Sequence, residues 1–368
     1  MKQVIVLKLE PSPEQAESLL AVMERFNAAA CFVAEVAFEK KISNKLIIQP
    51  LVYAEIRERF GLSSQLAIRC IAKAIEAYKR DKTIQPVFKP YGAIVYDQRI
   101  LSYKGLTHVS LMTLGGRETI PLRFGAYQQS RLSRVKGQAD LVYRKGTFFL
   151  YATIDLPTPP PADTSGGVLG VDFGIVEIAS DSEGNSYSGE SVKSCRCRLK
   201  QHRRTLQQRQ TNSAKKRLRW LSGRQARYVR DINHIVSKKI VQTAVSLQKA
   251  ISLEDLSGIR ERVSVLGREM RWLLGNWSFF QLRQFIGYKA EASGVPVFAV
   301  DPRNTSRTCS VCGYCDKANR KSQAIFSCLE CGFQANADYN ASCNIASRGL
   351  EARAAKSNSL LSSACALA

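Results

Sequence analysis

Alternating apolar and polar residues open the chain and predict a β-strand in "KQVIVLKLEP", residues 2–11. A helix is predicted directly after it, because Ser12 can serve as N-cap, Pro13 suits the first helical position and Gln15 can close a capping box. Apolar residues also recur at helical spacing in "SSQLAIRCIAKAIEAYKR", residues 63–80. The beginning of the chain therefore predicts one strand followed by helices.

The pattern changes to strands further along the N-terminal part. "HVSLMTL" (108–114) and "ADLVYRKGTFFLYATIDL" (139–156) alternate apolar and polar residues, and "RKGT" predicts a turn within the second stretch. A barrel-like β domain that contains a helical insertion accommodates this order of elements. We predict the β-barrel over residues 1–12 and 84–160, and the helical insertion over residues 13–83.

Strands and helices alternate in the second half of the chain, which predicts an α/β fold. "PTPPPADTSGG" (157–167) is the clearest linker. Two strands joined by a turn at "SEGN" follow it, and "AISLEDL" and "VPVFAVD" have the composition of further strands. The basic stretch 196–231 is predicted to form a helical hairpin that breaks at Ser222 and Gly223.

The net charge of the chain indicates what kind of partner the protein binds. The chain of 368 residues has 54 Lys and Arg against 31 Asp and Glu, a formal net charge of +23. Such an excess favours a polyanionic partner, of which nucleic acid is the commonest and an anionic membrane surface the alternative. No apolar run approaches the ~20 residues of a membrane span, and no signal peptide is recognisable at the start. We therefore expect a cytosolic protein.

Two tight cysteine pairs among the 11 cysteines predict a metal site. Their spacing, two residues within each pair and fifteen between the pairs, fits a structural zinc site with four thiolates. Chance clustering and an iron–sulfur cluster are the alternatives. Cys315 breaks the symmetry of the two Cys-x-x-Cys-Gly pairs, and we expect neither it nor the "CRC" at 195–197 to bind metal. The predicted ligands are Cys309, Cys312, Cys328 and Cys331.

Three carboxylates stand where apolar strands end or a helix begins. Asp172 lies within "GGVLGVDFGIVEIA", Glu254 ends "KAISLE", and Asp338 follows the second cysteine pair. Carboxylates from separate elements are what hard divalent cations bind, and two Mg²⁺ about 4 Å apart can hydrolyse a phosphodiester. Each also has an ordinary structural interpretation, since Asp172 could cap a turn and Asp338 a helix. Asp255 is a rival for Glu254, although strand alternation favours Glu254.

At this point the motifs resemble a known family. "GVDFGI", "LEDLSGIR", "YKAEASGVPVFAVDPRNTSRTCSVCG" and "CLECGFQANADYNASCNIA" resemble, in order and spacing, the C-terminal half of TnpB proteins. These are RNA-guided DNA endonucleases encoded by insertion sequences, the presumed ancestors of the type V CRISPR effector nucleases. The resemblance is dense over residues 166–345 and looser but collinear upstream.

The resemblance implies the following domains and partners. An RNase H-like RuvC nuclease domain would cover 161–302 and 335–350, mostly helical and basic over 196–248, with a zinc ribbon that binds target nucleic acid at 303–334 and a flexible tail at 351–368. Asp172, Glu254 and Asp338 would hold two catalytic Mg²⁺ ions, and the zinc would be structural. The N-terminal barrel, or wedge, and its helical recognition insertion would bind a guide RNA derived from the transposon end and recognise a short motif beside the double-stranded DNA target. Neither a membrane nor a small-molecule substrate is expected, and the location would be the prokaryotic cytoplasm.

Basic residues in two regions are candidates for contact with nucleic acid. A solvated helix face or a role in surface solubility explains any one of these residues equally well. The evidence for contact with nucleic acid is the run of basic residues over 196–230 taken as a whole. Trp220 and Tyr228 could stack on bases, but packing between helices is the favoured interpretation. The candidates are Arg203, Arg204, Lys215, Lys216, Arg217, Arg224, Arg303 and Arg307.

The function predicted from the resemblance is guide-directed DNA cleavage. Two rivals stay open: a repressor that is guided by RNA but does not cut, and a transposase that joins DNA strands without RNA. The first requires that one of the three carboxylates does not coordinate metal. All three positions are acidic, so we expect cleavage.

Overall fold

The computed structural model describes residues 2–256, 267 and 277–365. Within them the chain divides into two compact units, one up to Pro157 and one from Thr158 onward. The division falls at the start of the proline-rich stretch predicted as a linker. The remainder of the motif "LEDLSGIR" from Ser257 onward, and residues 366–368 of the predicted tail, lie outside the described residues. No helix among the described residues is long and apolar enough to cross a membrane.

The first unit combines an antiparallel sheet with three long helices. The sheet has seven strands in the order β2-β6-β7-β1-β5-β4-β3. The capping box predicted at the first helix is confirmed, because the Ser12 hydroxyl accepts from the Gln15 N–H at 3.3 Å and Gln15 Oε1 accepts from the Ser12 N–H at 3.1 Å. The elements are β1 (Lys2–Leu9), α1 (Pro13–Glu39), α2 (Lys45–Phe60), α3 (Ser64–Arg80), β2 (Ile94–Tyr96), β3 (Leu101–Lys104), β4 (His108–Thr113), β5 (Gly116–Arg123), α4 (Ala126–Leu132), β6 (Val135–Arg144) and β7 (Thr147–Asp155).

One apolar core joins the sheet and the helices of this unit. Strand β1 buries Ile5, Leu7 and Leu9, and α1 turns Phe26 toward the same cluster. The predicted hairpin in 139–156 is present, with Lys145 at a φ of 51° and Gly146 at 77° in its turn. The sheet agrees with the β-rich prediction, and its closure into a barrel stays a prediction.

The second unit is α/β and contains the predicted site. Its five-stranded sheet has the order β10-β9-β8-β11-β12, in which β8, β11 and β12 run parallel and β9 and β10 complete an antiparallel edge. Helix and strand bounds are β8 (Val168–Asp172), β9 (Glu177–Asp181), β10 (Ser186–Ser188), α5 (Glu190–Arg209), α6 (Asn212–Ser246), β11 (Ala250–Glu254), α7 (Phe279–Ala292), β12 (Val297–Val300), a 3-10 helix (Lys317–Asn319), β13 (Ile325–Ser327), β14 (Gln334–Asn336) and α8 (Ala337–Cys365).

The break in the basic helical hairpin was predicted at the wrong place. Ser222 and Gly223 lie inside α6, whereas the chain turns at Gln210 and Thr211. Gln210 adopts a left-handed φ of 50°, and the Thr211 hydroxyl caps α6 by accepting from the Ala214 N–H at 3.2 Å. A threonine N-cap satisfies an otherwise free N–H, while a single glycine inside a long helix is tolerated at a modest cost.

Helix α8 continues well past the segment that carries the last candidate ligand. The tail predicted as flexible from residue 351 is helical as far as Cys365. Small residues allow the helix to lie close against the sheet: a Cβ at Gly170 of β8 would overlap the backbone carbonyl of Ser342 and the amide of Ala346. Gly349 approaches the sheet in the same way, since a Cβ there would lie 2.6 Å from the Ser252 Cβ. This close packing fixes the start of α8 relative to the ends of β8 and β11.

Candidate active site and metal centre

Asp172 and Glu254 end two neighbouring parallel strands. The register pairs Leu253 with Val171, so the next position along both strands sets Glu254 beside Asp172. Adjacent strands lie about 4.8 Å apart, and side chains at paired positions point to the same face of the sheet. The carboxyl ends of parallel strands are a common place for ligand binding in α/β sheets. Both carboxylates therefore meet at one edge of the fold.

Asp338 reaches the same edge from the first turn of α8. A Cβ built at Gly174, two residues beyond Asp172, would lie 3.8 Å from Asp338 Oδ2, so this carboxylate sits over the turn that follows β8. The helix is capped by Asn336 instead, whose Oδ1 accepts from the N–H groups of Asp338 at 2.9 Å and Tyr339 at 3.3 Å. The interpretation of Asp338 as an N-cap is therefore wrong, and its side chain is available for another role.

The electrostatics of the three carboxylates are coupled. Burial, together with the negative charges of Glu254 and Asp338, raises the pKa of Asp172 to about 8. Burial also raises the pKa values of Glu254 and Asp338, against the lowering effect of a Thr305 hydrogen bond on the first and of Arg320 on the second. Each ionised carboxylate disfavours ionisation of Asp172, and a divalent cation bound among them removes that penalty. The oxygen donors suit a hard cation.

Glu254 is held in place by a hydroxyl group. The residue is 8% exposed, and its Oε1 accepts a hydrogen bond from Thr305 Oγ1 at 2.6 Å. The rival carboxylate Asp255 instead accepts from Arg283 at 2.8 Å and is 45% exposed. Strand alternation thus places Glu254 toward Asp172 and Asp255 toward an arginine.

Two residues at this edge were not found by reading the sequence. Arg320, in the segment between the two cysteine pairs, has its Nη2 3.8 Å from Asp338 Oδ1. Its positive charge opposes the rise in the pKa values of Asp172 and Asp338. Thr305 lies just before the first pair. Neither stands out in the sequence, because Arg320 is one basic residue among many and Thr305 belongs to a short polar stretch. Only the fold shows their proximity to the carboxylates.

The four predicted cysteines come together. Their sulfur atoms all lie within 4.8 Å of one another, with Cys309 and Cys331 3.7 Å apart and Cys312 and Cys328 3.6 Å apart. These separations match the edge of a tetrahedron with Zn–S bonds of about 2.3 Å. Cys315 lies outside the group, and its backbone forms an isolated β-bridge with Thr308. Among the described residues the three carboxylates are more widely spaced than this cysteine group.

The two halves of the cysteine site have the same backbone geometry. Gly313 and Gly332, each directly after the second cysteine of its pair, adopt left-handed φ values of 77° and 72°. Their N–H groups donate to the carbonyls of Cys309 and Cys328 at 3.0 and 3.2 Å. The turns direct amides toward the sulfurs, and the Cys331 amide is the largest factor that lowers the pKa of Cys328 to about 7. The Cys328 thiolate is thus stabilised as a ligand for a cationic metal. The pKa values of Cys312 and Cys331 are raised despite the backbone hydrogen bonds of Tyr314 and Phe333, because desolvation and neighbouring sulfurs oppose their ionisation.

Asparagines fasten the cysteine-containing segment to α8. Asn340 accepts from the Ser310 N–H at 2.9 Å and donates to the Thr308 carbonyl at 2.8 Å. Asn344 donates to the carbonyls of Thr305 and Thr308 at 2.8 and 2.7 Å. Helix α8, which carries Asp338 in its first turn, therefore also positions the start of the cysteine-containing segment.

The basic candidates are distributed over two surfaces of the second unit. Those on α5 and α6 follow the helical hairpin, where Arg203 is partly buried and donates to Ser222 Oγ at 3.1 Å. Arg303 and Arg307 are exposed next to the ribbon, the former 3.8 Å from Asp301. Cys195 and Cys197 lie on α5, away from the cysteine site. The exposed candidates on α5 and α6 are Arg204, Lys215, Lys216, Arg217 and Arg224.

Comparison with known proteins gives these positions a context. The family model described as "Probable transposase" matches residues 151–256, which contain Asp172 and Glu254. The model described as "Cas12f1-like, TNB domain" matches residues 279–345, which contain the four cysteines and Asp338. The two matches follow one another along the chain, and only residues 151–157 of the first lie outside the second unit.

Curated relatives carry corresponding names. The CRISPR-associated endodeoxyribonuclease Cas12f1 of Sulfoacidibacillus thermotolerans is 46% identical over 31% of this chain and 26% of its own length. A TnpB-like protein of Methanocaldococcus jannaschii is 36% identical over 34% of this chain and 44% of its own length. The Escherichia coli protein named "Putative RNA-guided DNA endonuclease InsQ" is 27% identical over 77% of this chain and 73% of its own length. The resemblance to TnpB proteins is confirmed.

The matches to this family differ in extent. The matched regions span 26%, 40% and 44% of the first three curated relatives. A solved Cas12f1–sgRNA–target DNA complex shares the fold with a TM-score of 0.64 and 12% identity, covering 94% of this chain and 98% of that chain. The mixed α/β architecture of this chain is therefore similar to the fold of that solved protein.

Proposed function

We propose that this protein is an RNA-guided DNA endonuclease that cuts by metal-dependent phosphodiester hydrolysis. The observation that carries the proposal is the meeting of Asp172, Glu254 and Asp338 at the carboxyl ends of the parallel strands β8 and β11. The names of the TnpB-like and Cas12f1 relatives support the same activity. An RNase H-like RuvC domain is the proposed identity of the five-stranded α/β unit.

Asp172, Glu254 and Asp338 are the proposed ligands of two Mg²⁺ ions. Bound there, the ions would supply activation of a water molecule and charge stabilisation at the leaving oxygen. Thr305 orients the Glu254 carboxylate through its hydroxyl, and burial of that carboxylate excludes competing water. Arg320 places a guanidinium beside Asp338, where it can pair with a phosphate oxygen of the bound strand. These groups bind and orient the strand to be cut.

The four cysteines are the proposed ligands of a structural Zn²⁺. A closed tetrahedral thiolate set holds the metal without an open coordination position, so no chemistry is assigned to it. Its role would be to fold the segment that carries Arg320 and to keep this residue at the carboxylates. The proposed ribbon covers residues 303–334 and contacts target nucleic acid.

The proposed macromolecular partners are a guide RNA from the transposon end and a double-stranded DNA target. Base pairing would select the sequence, and the protein would read the shape and charge of the guide–target duplex. The first unit, with its sheet as a wedge and helices α1–α3 as a recognition insertion, would check a short flanking motif. Basic residues of α5 and α6, together with Arg303 and Arg307, would contact the backbone.

The experiment starts from the RNA that copurifies with the protein. Its sequence defines a matching plasmid target with a randomised flank, and we expect cleavage with Mg²⁺ and none with EDTA. Asp172→Ala should abolish cutting and leave RNA and DNA binding intact. Loss of binding together with cutting would assign Asp172 a structural role, and a wild-type protein that binds but never cuts would be a repressor.

A transposase is the second candidate, favoured by the description of the family model that matches residues 151–256. Such an enzyme acts on the ends of its element without RNA. Ribonuclease treatment of the purified protein separates the two, because only the guided endonuclease loses activity.

A further inference from the structure

A cleft between α5 and α6, which we call the hairpin cleft, is not used by the proposed cleavage chemistry. Its volume is about 770 Å³, within the ~300–1,000 Å³ of pockets that bury small ligands. Apolar side chains such as Leu199 and Leu206 of α5 line it together with Trp220 of α6. Arginines of both helices surround this apolar interior, including Arg217 and Arg224. The combination suits a ligand with a flat apolar part and a negative charge.

Trp220 provides an exposed aromatic surface in this cleft. The residue is 44% exposed, although the sequence favoured packing between the helices. The Arg217 guanidinium carbon lies 4.3 Å from the centroid of the ring and that of Arg224 lies 5.6 Å from it. Both guanidinium groups lie over the ring within cation–π distance. An aromatic face flanked by arginines is the pairing that proteins use for a stacked base and its phosphates.

Gln225 supplies an independent indication of a ligand. It lines the cleft, and its Oε1 is buried without a hydrogen-bond partner among the described residues. A buried acceptor without a donor is costly, and native structures rarely leave one unpaired. The amide of a glutamine is suited to the edge of a nucleobase, which offers N–H donors.

We propose that the hairpin cleft captures an unpaired nucleotide of a single strand. The base takes the place of the guanidinium groups over the Trp220 ring, and an N–H at its edge donates to Gln225 Oε1. The displaced Arg217 and Arg224 side chains pair with the adjoining phosphates. A duplex does not fit this arrangement, since its bases are already stacked and paired. An acidic peptide would satisfy the arginines but has no flat ring for Trp220. The proposal rests on the proposed function only for the origin of the strand, guide RNA or displaced DNA.

The test measures binding with the full-length Asp172→Ala protein, freed of nucleic acid, so that cutting plays no part. The probes are labelled oligothymidylate, oligouridylate and an abasic deoxyribose-phosphate strand of equal length. Trp220→Ala should lower affinity for the base-bearing strands about ten-fold and leave the abasic strand unchanged. Trp220→Phe should retain most of the affinity. Gln225→Leu, which keeps the side-chain volume, should weaken only the strands that carry bases.

The outcomes separate this proposal from others. The proposal would be overturned if Trp220→Ala lost affinity equally for all three probes, or for none of them, because stacking requires a base. Should Trp220→Ala unfold in a thermal scan, the comparison of Gln225→Leu on base-bearing and abasic strands decides instead. A preference for uridylate assigns the strand to RNA and one for thymidylate to DNA. Failure of the wild-type protein to cut any DNA would remove the proposed nuclease function and leave this binding result intact.

Discussion

Three carboxylates with raised pKa values stand at the end of the α/β sheet, each beside a different kind of neighbour. Glu254 accepts from the Thr305 hydroxyl, Asp338 lies near Arg320, and Asp172 sits between their charges. The charged positions were visible in the sequence because they interrupt apolar strands or follow a cysteine pair. Thr305 and Arg320 were not visible, because their relevance comes from distance in space.

Removing the hydroxyl that orients Glu254 should weaken metal use. Thr305→Val keeps the shape of the side chain but leaves Glu254 without the donor at 2.6 Å. We expect a roughly 10–100-fold loss in cleavage or in apparent Mg²⁺ affinity, the usual effect of removing a group that orients a ligand. Thr305→Ser, which retains the hydroxyl, is the matched control and should recover most of the activity. Unchanged Mg²⁺ dependence in the valine variant would show that the contact is not needed.

The raised pKa of Asp172 predicts how stability depends on pH. Without Mg²⁺ its folded pKa of about 8 exceeds the ordinary 3.8, so its contribution is complete below about 3.8 and is lost as pH rises toward 8. Asp172→Asn cannot ionise and should therefore unfold at a temperature several degrees higher than the wild type at pH 9. The difference should shrink as pH approaches 4, as thermal scans without added Mg²⁺ can measure. A shift of equal size at every pH would indicate a packing effect.

At the scale of elements, the position of α8 against the sheet assembles the site. The helix crosses β8 at Gly170 and carries Asp338 in its first turn and two asparagines that hold the ribbon. The sequence predicted these strands and this helix from their patterns. The break of the α5–α6 hairpin was misplaced because the Ser222-Gly223 pair resembles a turn, while the Gln210 turn depends on a threonine cap.

A methyl group at Gly170 should separate α8 from β8. Its Cβ would overlap the backbone of Ser342 and Ala346, which cannot move without shifting the helix. We expect Gly170→Ala to destabilise the fold by about 1–3 kcal/mol and to reduce cleavage, as overpacking does in close-packed interiors. Gly287→Ala is the matched control, since Gly287 lies inside α7 with no atom within 4 Å of an added Cβ. Chemical denaturation of both variants measures the difference, and equal stabilities would contradict the argument.

The cysteine site should be needed for the position of Arg320. Cys328→Ser removes one of four converging sulfurs, and we expect lower zinc content, a less stable ribbon and at least a ten-fold loss of cleavage. Cys315 lies outside the group, so the Cys315→Ser variant should keep its full zinc content. Metal analysis of the purified variants is the measurement. Full zinc and normal activity in Cys328→Ser would show that the four-cysteine assignment is wrong.

At the scale of the whole molecule, the excess of positive charge sets the expected mode of binding. The 54 basic against 31 acidic residues leave a net charge of +23, and many of the basic residues lie exposed on α5 and α6. Contacts of this kind read the phosphate backbone and release counterions. The charge was evident from composition and its concentration in a helical hairpin from the sequence, whereas the position of the turn at Gln210 and Thr211 required the structure.

Binding of nucleic acid should therefore weaken steeply as salt rises. A logarithmic plot of affinity against salt should be linear, and Lys215→Ala with Lys216→Ala should reduce its slope by about one for each phosphate contact removed. Fluorescence titration of the Asp172→Ala protein at several salt concentrations measures this. An affinity independent of salt would contradict backbone binding.

The amino-acid sequence by itself determined the local features of this protein. Alternation and helical spacing predicted the strands and most helices, the cysteine spacing predicted the sulfur cluster, and the family motifs pointed to the carboxylates. These signals are local, since they depend on neighbours within a few residues or on a compact motif. The capping box at Ser12 and the paired glycine turns of the ribbon belong to the same class.

Tertiary structure alone decided which distant groups meet. Asp172 and Glu254 become neighbours through a parallel register, and Asp338 joins them only because Gly170 lets α8 approach the sheet. The contacts of Thr305 and Arg320 and the open cleft beside Trp220 arise in the same way. The physical reason is that distance, burial and mutual charge depend on packing between segments far apart in the chain, which no local pattern encodes.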